Sequence, residues 1–119
     1  MRPRITYGDP THWRYNSYVT FYITHSLGPI VHATGLRPVK VTGFESGMCD
    51  RLRRTGGLGG LFAVEMVEME NGAIVKSTHG ELYKDSVWYT FYGKKGRMET
   101  ERYIPETDYC TKLHLESYA

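Results

Sequence analysis

The sequence predicts an α+β domain, with a helix first and antiparallel hairpins after it. Near the start, apolar residues recur at helical steps (Val19, Ile23, Leu27, Ile30). Past residue 38 they alternate with polar residues in short runs, as half-buried strands do. Turn signals separate those runs, Asn71-Gly72 above all. The expected architecture is one antiparallel sheet of about five to six strands with a kinked N-terminal helix packed on one face.

Residues 1–15 hold Pro3, Gly8, Asp9 and Pro10, which is turn chemistry. Asn16 or Ser17 can cap the helix that follows. Over residues 17–34 two stripes run in steps of three and four. Val19, Ile23, Leu27, Ile30 and Thr34 read as the core-facing stripe. Tyr15, Tyr18, Tyr22, His25, Pro29 and His32 read as a polar-aromatic one. Pro29 has no N–H, so the His25 carbonyl loses its helical partner, and a kink or break is expected over residues 25–29. The β-branched first half also allows an extended start. Gly35 is a natural stop, with Pro38 beyond it.

Residues 39–45 alternate and read as a strand, and residues 46–60 as a loop with Arg51, Arg53, Arg54 and the glycines Gly56, Gly57, Gly59 and Gly60. Residues 61–70 and 73–79 form the clearest hairpin, closed by a two-residue Asn71-Gly72 turn. Glu65, Glu68 and Glu70 are expected to face solvent, with a register irregularity near Val67. Residues 87–92 and 97–103 form a second hairpin around Gly93-Lys94-Lys95-Gly96, with Tyr89, Phe91, Met98 and Thr100 as cross-strand neighbours. A short last strand is expected at residues 113–115. No internal repeat is visible, and residues 1–119 are expected to form a single domain.

Composition narrows the function. A net charge of +2 gives little support for nucleic acid, although Arg2, Arg4 and the Arg51–Arg54 cluster are basic. Ten tyrosines against four phenylalanines favour rings at an interface or in a polar cleft. Cys49 and Cys110 make neither a disulfide framework nor a zinc pattern, and read as free thiols in a reducing compartment. No transmembrane run or signal peptide is visible, so the expected location is cytoplasmic.

Tyr22 and His25 are the sharpest candidates for chemistry. Three apart on a helix, their rings are neighbours, able to bind a sugar hydroxyl and exchange a proton. They can equally be hydrogen-bonded helix residues under the sheet. In His12-Trp13-Arg14, Trp13 offers a platform for a sugar face and Arg14 a clamp for an anion; the alternative is a partly buried Trp beside a solvated Arg. The Gly56-Gly57-Leu58-Gly59-Gly60 run precedes a strand rather than a helix, so it reads as a flexible loop and not a phosphate cradle. His25, His32, His79 and His114 form no compact ligand set, and no metal site is expected.

Trp13-Arg14, Tyr22-x-x-His25-Ser26-Leu27-Gly28-Pro29 and Thr34-Gly35-Leu36-Arg37-Pro38-Val39-Lys40-Val41 together resemble the C-terminal domain of the Gfo/Idh/MocA oxidoreductase family. The likeness is nearest to the branch with the family 109 glycosidases and runs more weakly through the hairpins to about residue 103. It implies a substrate-binding and oligomerisation domain of an NAD(P)-dependent sugar oxidoreductase or NAD-dependent glycosidase. It implies His25 and Tyr22 as catalytic residues, Trp13, Arg14 and Tyr18 as sugar contacts, and a homodimer or higher homo-oligomer. The family's Rossmann half and its Glu-Lys-Pro motif are missing here. The implied NAD(P) would therefore come from a separate Rossmann domain, and this chain alone would be inactive. Phe21 stands where the family's dehydrogenases often carry an Asp, which favours the glycosidase-like pattern. The alternative is a non-catalytic, self-associating structural module.

Overall fold

A computed structural model describes residues 9, 11–13, 17–47, 60–80, 88–100 and 111–116. Arg14, Tyr15, Asn16, Cys49, Cys110, Arg2, Arg4, the Arg51–Arg54 cluster and Gly56 to Gly59 lie outside the described residues. The fold is α+β, with helix and antiparallel strands. The strands form two three-stranded sheets and not the single larger sheet expected. Hairpin turns specify local pairing, but nothing local specifies whether the edge of one hairpin joins the next. The chain divides into two compact units, Met1–Tyr83 and Lys84–Ala119.

In the first unit, Asp9 accepts hydrogen bonds from the Thr11 amide (2.8 Å) and hydroxyl (2.7 Å). Those bonds hold its carboxyl below the ordinary range. Ser17 does not cap a helix; its hydroxyl donates to the Trp13 carbonyl at 3.4 Å. A 3₁₀ turn, Val19–Tyr22, leads into helix α1, Ile23–Thr34. The α-helix runs through Pro29 without the expected break, and the discontinuity falls earlier, where 3₁₀ gives way to α. Ile23, Leu27 and Ile30 are half-buried and Ser26 is bonded to the sheet, so turns on both sides of Pro29 are held. Gly35 ends α1 at φ 69°, its N–H on the Val31 carbonyl at 2.8 Å. A side chain there would be strained, which is why glycine stops the helix.

Strands β1 (Pro38–Glu45), β2 (Phe62–Met69) and β3 (Ile74–Gly80) follow in the order β1-β2-β3. Ala63, Glu65, Val67 and Met69 of β2 are buried, in strict alternation. The expected irregularity near Val67 is absent; it lies instead between Pro38 and Lys40 of β1, where Val39 is extra. The loop between the hydrogen-bonded residues Met69 and Ala73 holds three residues, not two. Gly72 N bonds to the Met69 carbonyl and Met69 N to the Ala73 carbonyl, each at 2.8 Å, and Gly72 has φ 82°. This is the three-residue loop whose last position needs glycine. Glu70 secures the helix exit, accepting from Arg37 N (3.0 Å) and Arg37 Nε (3.1 Å).

In the second unit, β4 (Thr90–Gly93), β5 (Gly96–Thr100) and β6 (Thr111–Leu115) form the other sheet. The expected Gly93-Lys94-Lys95-Gly96 turn joins β4 to β5, and Phe91 pairs with Met98. Tyr89 and Thr100 also meet, through Thr100 N to the Tyr89 carbonyl at 2.9 Å.

Candidate functional site

Tyr22 and His25 meet as the spacing predicts. Tyr22 ends the 3₁₀ turn and His25 lies in the first turn of α1. Their rings stack with centroids 5.8 Å apart and planes at 26°. Tyr22 is half-buried and His25 exposed, so the pair sits at the solvent margin and is not sealed inside. Trp13 is exposed and stacks on His12 at 5.7 Å. Tyr18 is exposed and meets Phe21 edge-on at 6.1 Å. Each of these ring pairs is local in sequence. Arg14 lies outside the described residues.

A second cluster escapes sequence reasoning. Glu65 was expected to face solvent, yet its side chain is only 3% exposed. Its neighbours across the sheet make the room: Gly43 on β1 and Ser77 on β3 stand opposite it. An added Cβ at Gly43 would lie 3.2 Å from Glu65 Cγ, so only a very small residue fits there without displacing the carboxylate stem. Glu65 Oε2 forms an ion pair with His79 Nε2, whose side chain is also largely buried. Among the described residues, Glu65 Oε1 has no hydrogen-bond donor. Ser77 Oγ lies 3.2 Å from His79 Nδ1 and 3.4 Å from Nε2. Ser77 Oγ also lies 2.5 Å from Ser26 Oγ of α1, and Ser26 donates to the Ile23 carbonyl at 3.0 Å. Burial pushes the Glu65 carboxyl above its ordinary range; His79 and Ser77 pull it down, and Glu45 adds to the rise.

Glu45, at the end of β1, is already committed. It accepts from the amides of Val19 and Thr20 and the Thr20 hydroxyl, each at 3.3 Å, and from Gly60 N at 2.9 Å. A carboxylate thus caps the 3₁₀ turn and anchors the start of β2. Gly60 is the described member of the glycine run. Its amide is taken by this carboxylate and so is not offered to a phosphate.

The signal that could have revealed Glu65 is period two. Ala63, Val67 and Met69 fix the inward face of β2, and position 65 lies on it. Its charge points the other way, to solvent, and the phase of the strand prevails. Among the described residues no group of three or more His, Cys, Asp or Glu could hold a metal ion. No helix among them is long and apolar enough to cross a membrane. A shallow depression lined by Tyr92, Arg97, His114 and Glu116 lies in the second unit. Its polar lining is exposed or of mixed sign, and it touches none of the expected site residues. No family model, curated protein or solved structure matches this chain.

Proposed function

We propose that the chain is a carbohydrate-binding and self-associating module of the kind its sequence resembles, the C-terminal domain of a Gfo/Idh/MocA sugar oxidoreductase or NAD-dependent glycosidase. The observation that carries this reading is the Tyr22–His25 stack at the solvent margin of α1. A phenol and an imidazole within reach of one ligand can bind a sugar hydroxyl and move a proton at it. Trp13 and Tyr18 are exposed rings suited to a sugar's C–H face, and Arg14 completes the proposed set. A separate Rossmann domain would supply NAD(P), which serves as a hydride carrier when bound. The proposal also places the protein in the cytoplasm. The test is calorimetric titration of a panel of monosaccharides into the wild type and His25→Ala. The expected result is binding that weakens about tenfold or more on losing the imidazole, the scale of one good hydrogen bond. Equal affinities in the two proteins, or no binding by either, would reject the site.

A specific feature favours self-association as well. The sheet face opposite the helix carries Phe44, Val64, Met66 and Ile74, with Phe44 74% and Ile74 59% exposed. Lys40 and Glu68 face each other beside it. An apolar sheet face of this kind, rimmed by charges of both signs, suits a second copy of the same face. Sedimentation equilibrium should give a dimer or larger for the wild type and a smaller species for Met66→Lys. A wild type that stays monomeric at high concentration contradicts this part.

A further inference from the structure

In the second unit, Tyr92, Arg97 and His114 stand in register across β4, β5 and β6. Directly opposed residues of neighbouring strands present their side chains on the same face of a sheet. A phenol, a guanidinium and an imidazole therefore form one row, roughly 10 Å from end to end at about 4.8 Å per strand. Phe91, Met98 and Leu113 form the adjacent row, which faces the other way. Beyond the polar row lies the hairpin tip, where Glu116 N donates to the Lys95 carbonyl at 2.9 Å. That bond draws the end of β6 against the turn, and Lys94 and Glu116 line the same depression as the row. The depression is open, with a volume of about 490 Å³, within the roughly 300–1,000 Å³ of small-molecule sites.

The lining selects an anion that also carries hydroxyls. Lys94 and Arg97 outnumber Glu116, and the His114 ring adds an N–H donor. Arg97 is 45% exposed, and its ion-pair contact with Glu99 is 3.9 Å long, beyond hydrogen-bond range. Its fork of N–H donors is thus open to an oxyanion, and a phosphate matches that fork in charge and geometry. Glu116 opposes a bare anion but accepts hydrogen bonds from neighbouring hydroxyls, as acidic side chains do on a ribose. Tyr92 is 80% exposed, a flat apolar ring with a polar tip, suited to the C–H face of a sugar. We propose that the tip of the β4–β5–β6 sheet binds a phosphorylated sugar: Arg97, Lys94 and His114 hold the phosphate, Glu116 takes the hydroxyls and Tyr92 covers the ring. The site does not depend on the Tyr22–His25 reading, because every residue that reports it belongs to the other unit.

The test is a nuclear magnetic resonance titration of the full chain with ribose 5-phosphate, inorganic phosphate and ribose, each added separately. Ribose 5-phosphate should shift the His114 ring and the amides of residues 93–97 to saturation, and should bind more tightly than either of its parts. Arg97→Ala should weaken ribose 5-phosphate and inorganic phosphate alike, about tenfold to a hundredfold, the range of a hydrogen bond to a charged group. Glu116→Ala should act in the opposite sense on the anion: inorganic phosphate binds more tightly and the preference for ribose 5-phosphate falls. Should Arg97→Ala not fold, Lys94→Ala on the turn should weaken both phosphates instead. No saturable shift with ribose 5-phosphate, an affinity unchanged by Arg97→Ala, or inorganic phosphate bound as tightly as its sugar ester would each overturn the site. Adenosine monophosphate bound more tightly than ribose 5-phosphate would overturn the ligand class in favour of a nucleotide.

Discussion

Removing the Glu65 carboxylate tests whether the buried cluster holds the first unit together. Glu65 and His79 are largely withdrawn from water, and each is the other's ionic partner. Glu65→Ala leaves the His79 ring inside without its carboxylate partner. Breaking a buried pair from one side costs about 3–5 kcal/mol. Stabilities of about 0.05–0.15 kcal/mol per residue give a unit the length of Met1–Tyr83 roughly 4–12 kcal/mol in all. The substitution therefore removes a large share. Urea unfolding followed by circular dichroism reads it directly: with a slope of about 1–3 kcal/mol per molar, the midpoint should fall by roughly 1 M or more. Glu65→Gln keeps the shape and one acceptor oxygen, and should cost less. A double-mutant cycle with His79→Ala should show coupling above about 1 kcal/mol. A loss for Glu65→Ala below about 1 kcal/mol, or additivity within about 0.5 kcal/mol, would refute the reasoning.

Three further outcomes follow from the same structure. Burial raises the Glu65 carboxyl in the folded state, so the fold binds that proton more tightly than the unfolded chain does. Its contribution to stability is complete below the ordinary carboxylate value of about 4.3 and is lost as pH rises through the raised folded value. Glu65→Gln should flatten that decline, and an unchanged pH profile of the urea midpoint would contradict the assignment. Val67 is fully buried on the helix side of β2, so Val67→Ala should cost about 1–3 kcal/mol by urea unfolding, and a loss under about 0.5 kcal/mol would place it outside the core. Gly96 has φ 151°, and an added Cβ would collide with the His114 carbonyl oxygen, so Gly96→Ala should weaken the β5–β6 pairing. Faster amide exchange in residues 96–100 and 111–115 checks it, and wild-type exchange would refute it.

Much of the fold was legible because the signals were local. Gly35 ends the helix by its own conformation, and the Gly93 to Gly96 turn closes the second hairpin, both where the sequence places them. Tyr22 and His25 meet because three steps of helical backbone bring them together. What was not legible depends on distant partners. Glu65 turns inward because Gly43 and Ser77, from two other strands, leave space and His79 supplies a counter-charge. The three-residue loop at Asn71 differs from a two-residue turn by one Cα, a difference set by pairing and not by the dipeptide. Pro29 stays within a continuous helix because the sheet holds the turns around it. The division into two sheets is likewise a choice between strand edges, which no single run of residues encodes.

The most direct measurement of the proposed function follows the His25 ring by nuclear magnetic resonance while a monosaccharide is added, with and without NAD. The account predicts that the His25 and Tyr22 ring signals move together and saturate, while the buried His79 ring stays still. Ring signals at Tyr22 and His25 that do not move across the sugar panel, or movement confined to other residues, would contradict it.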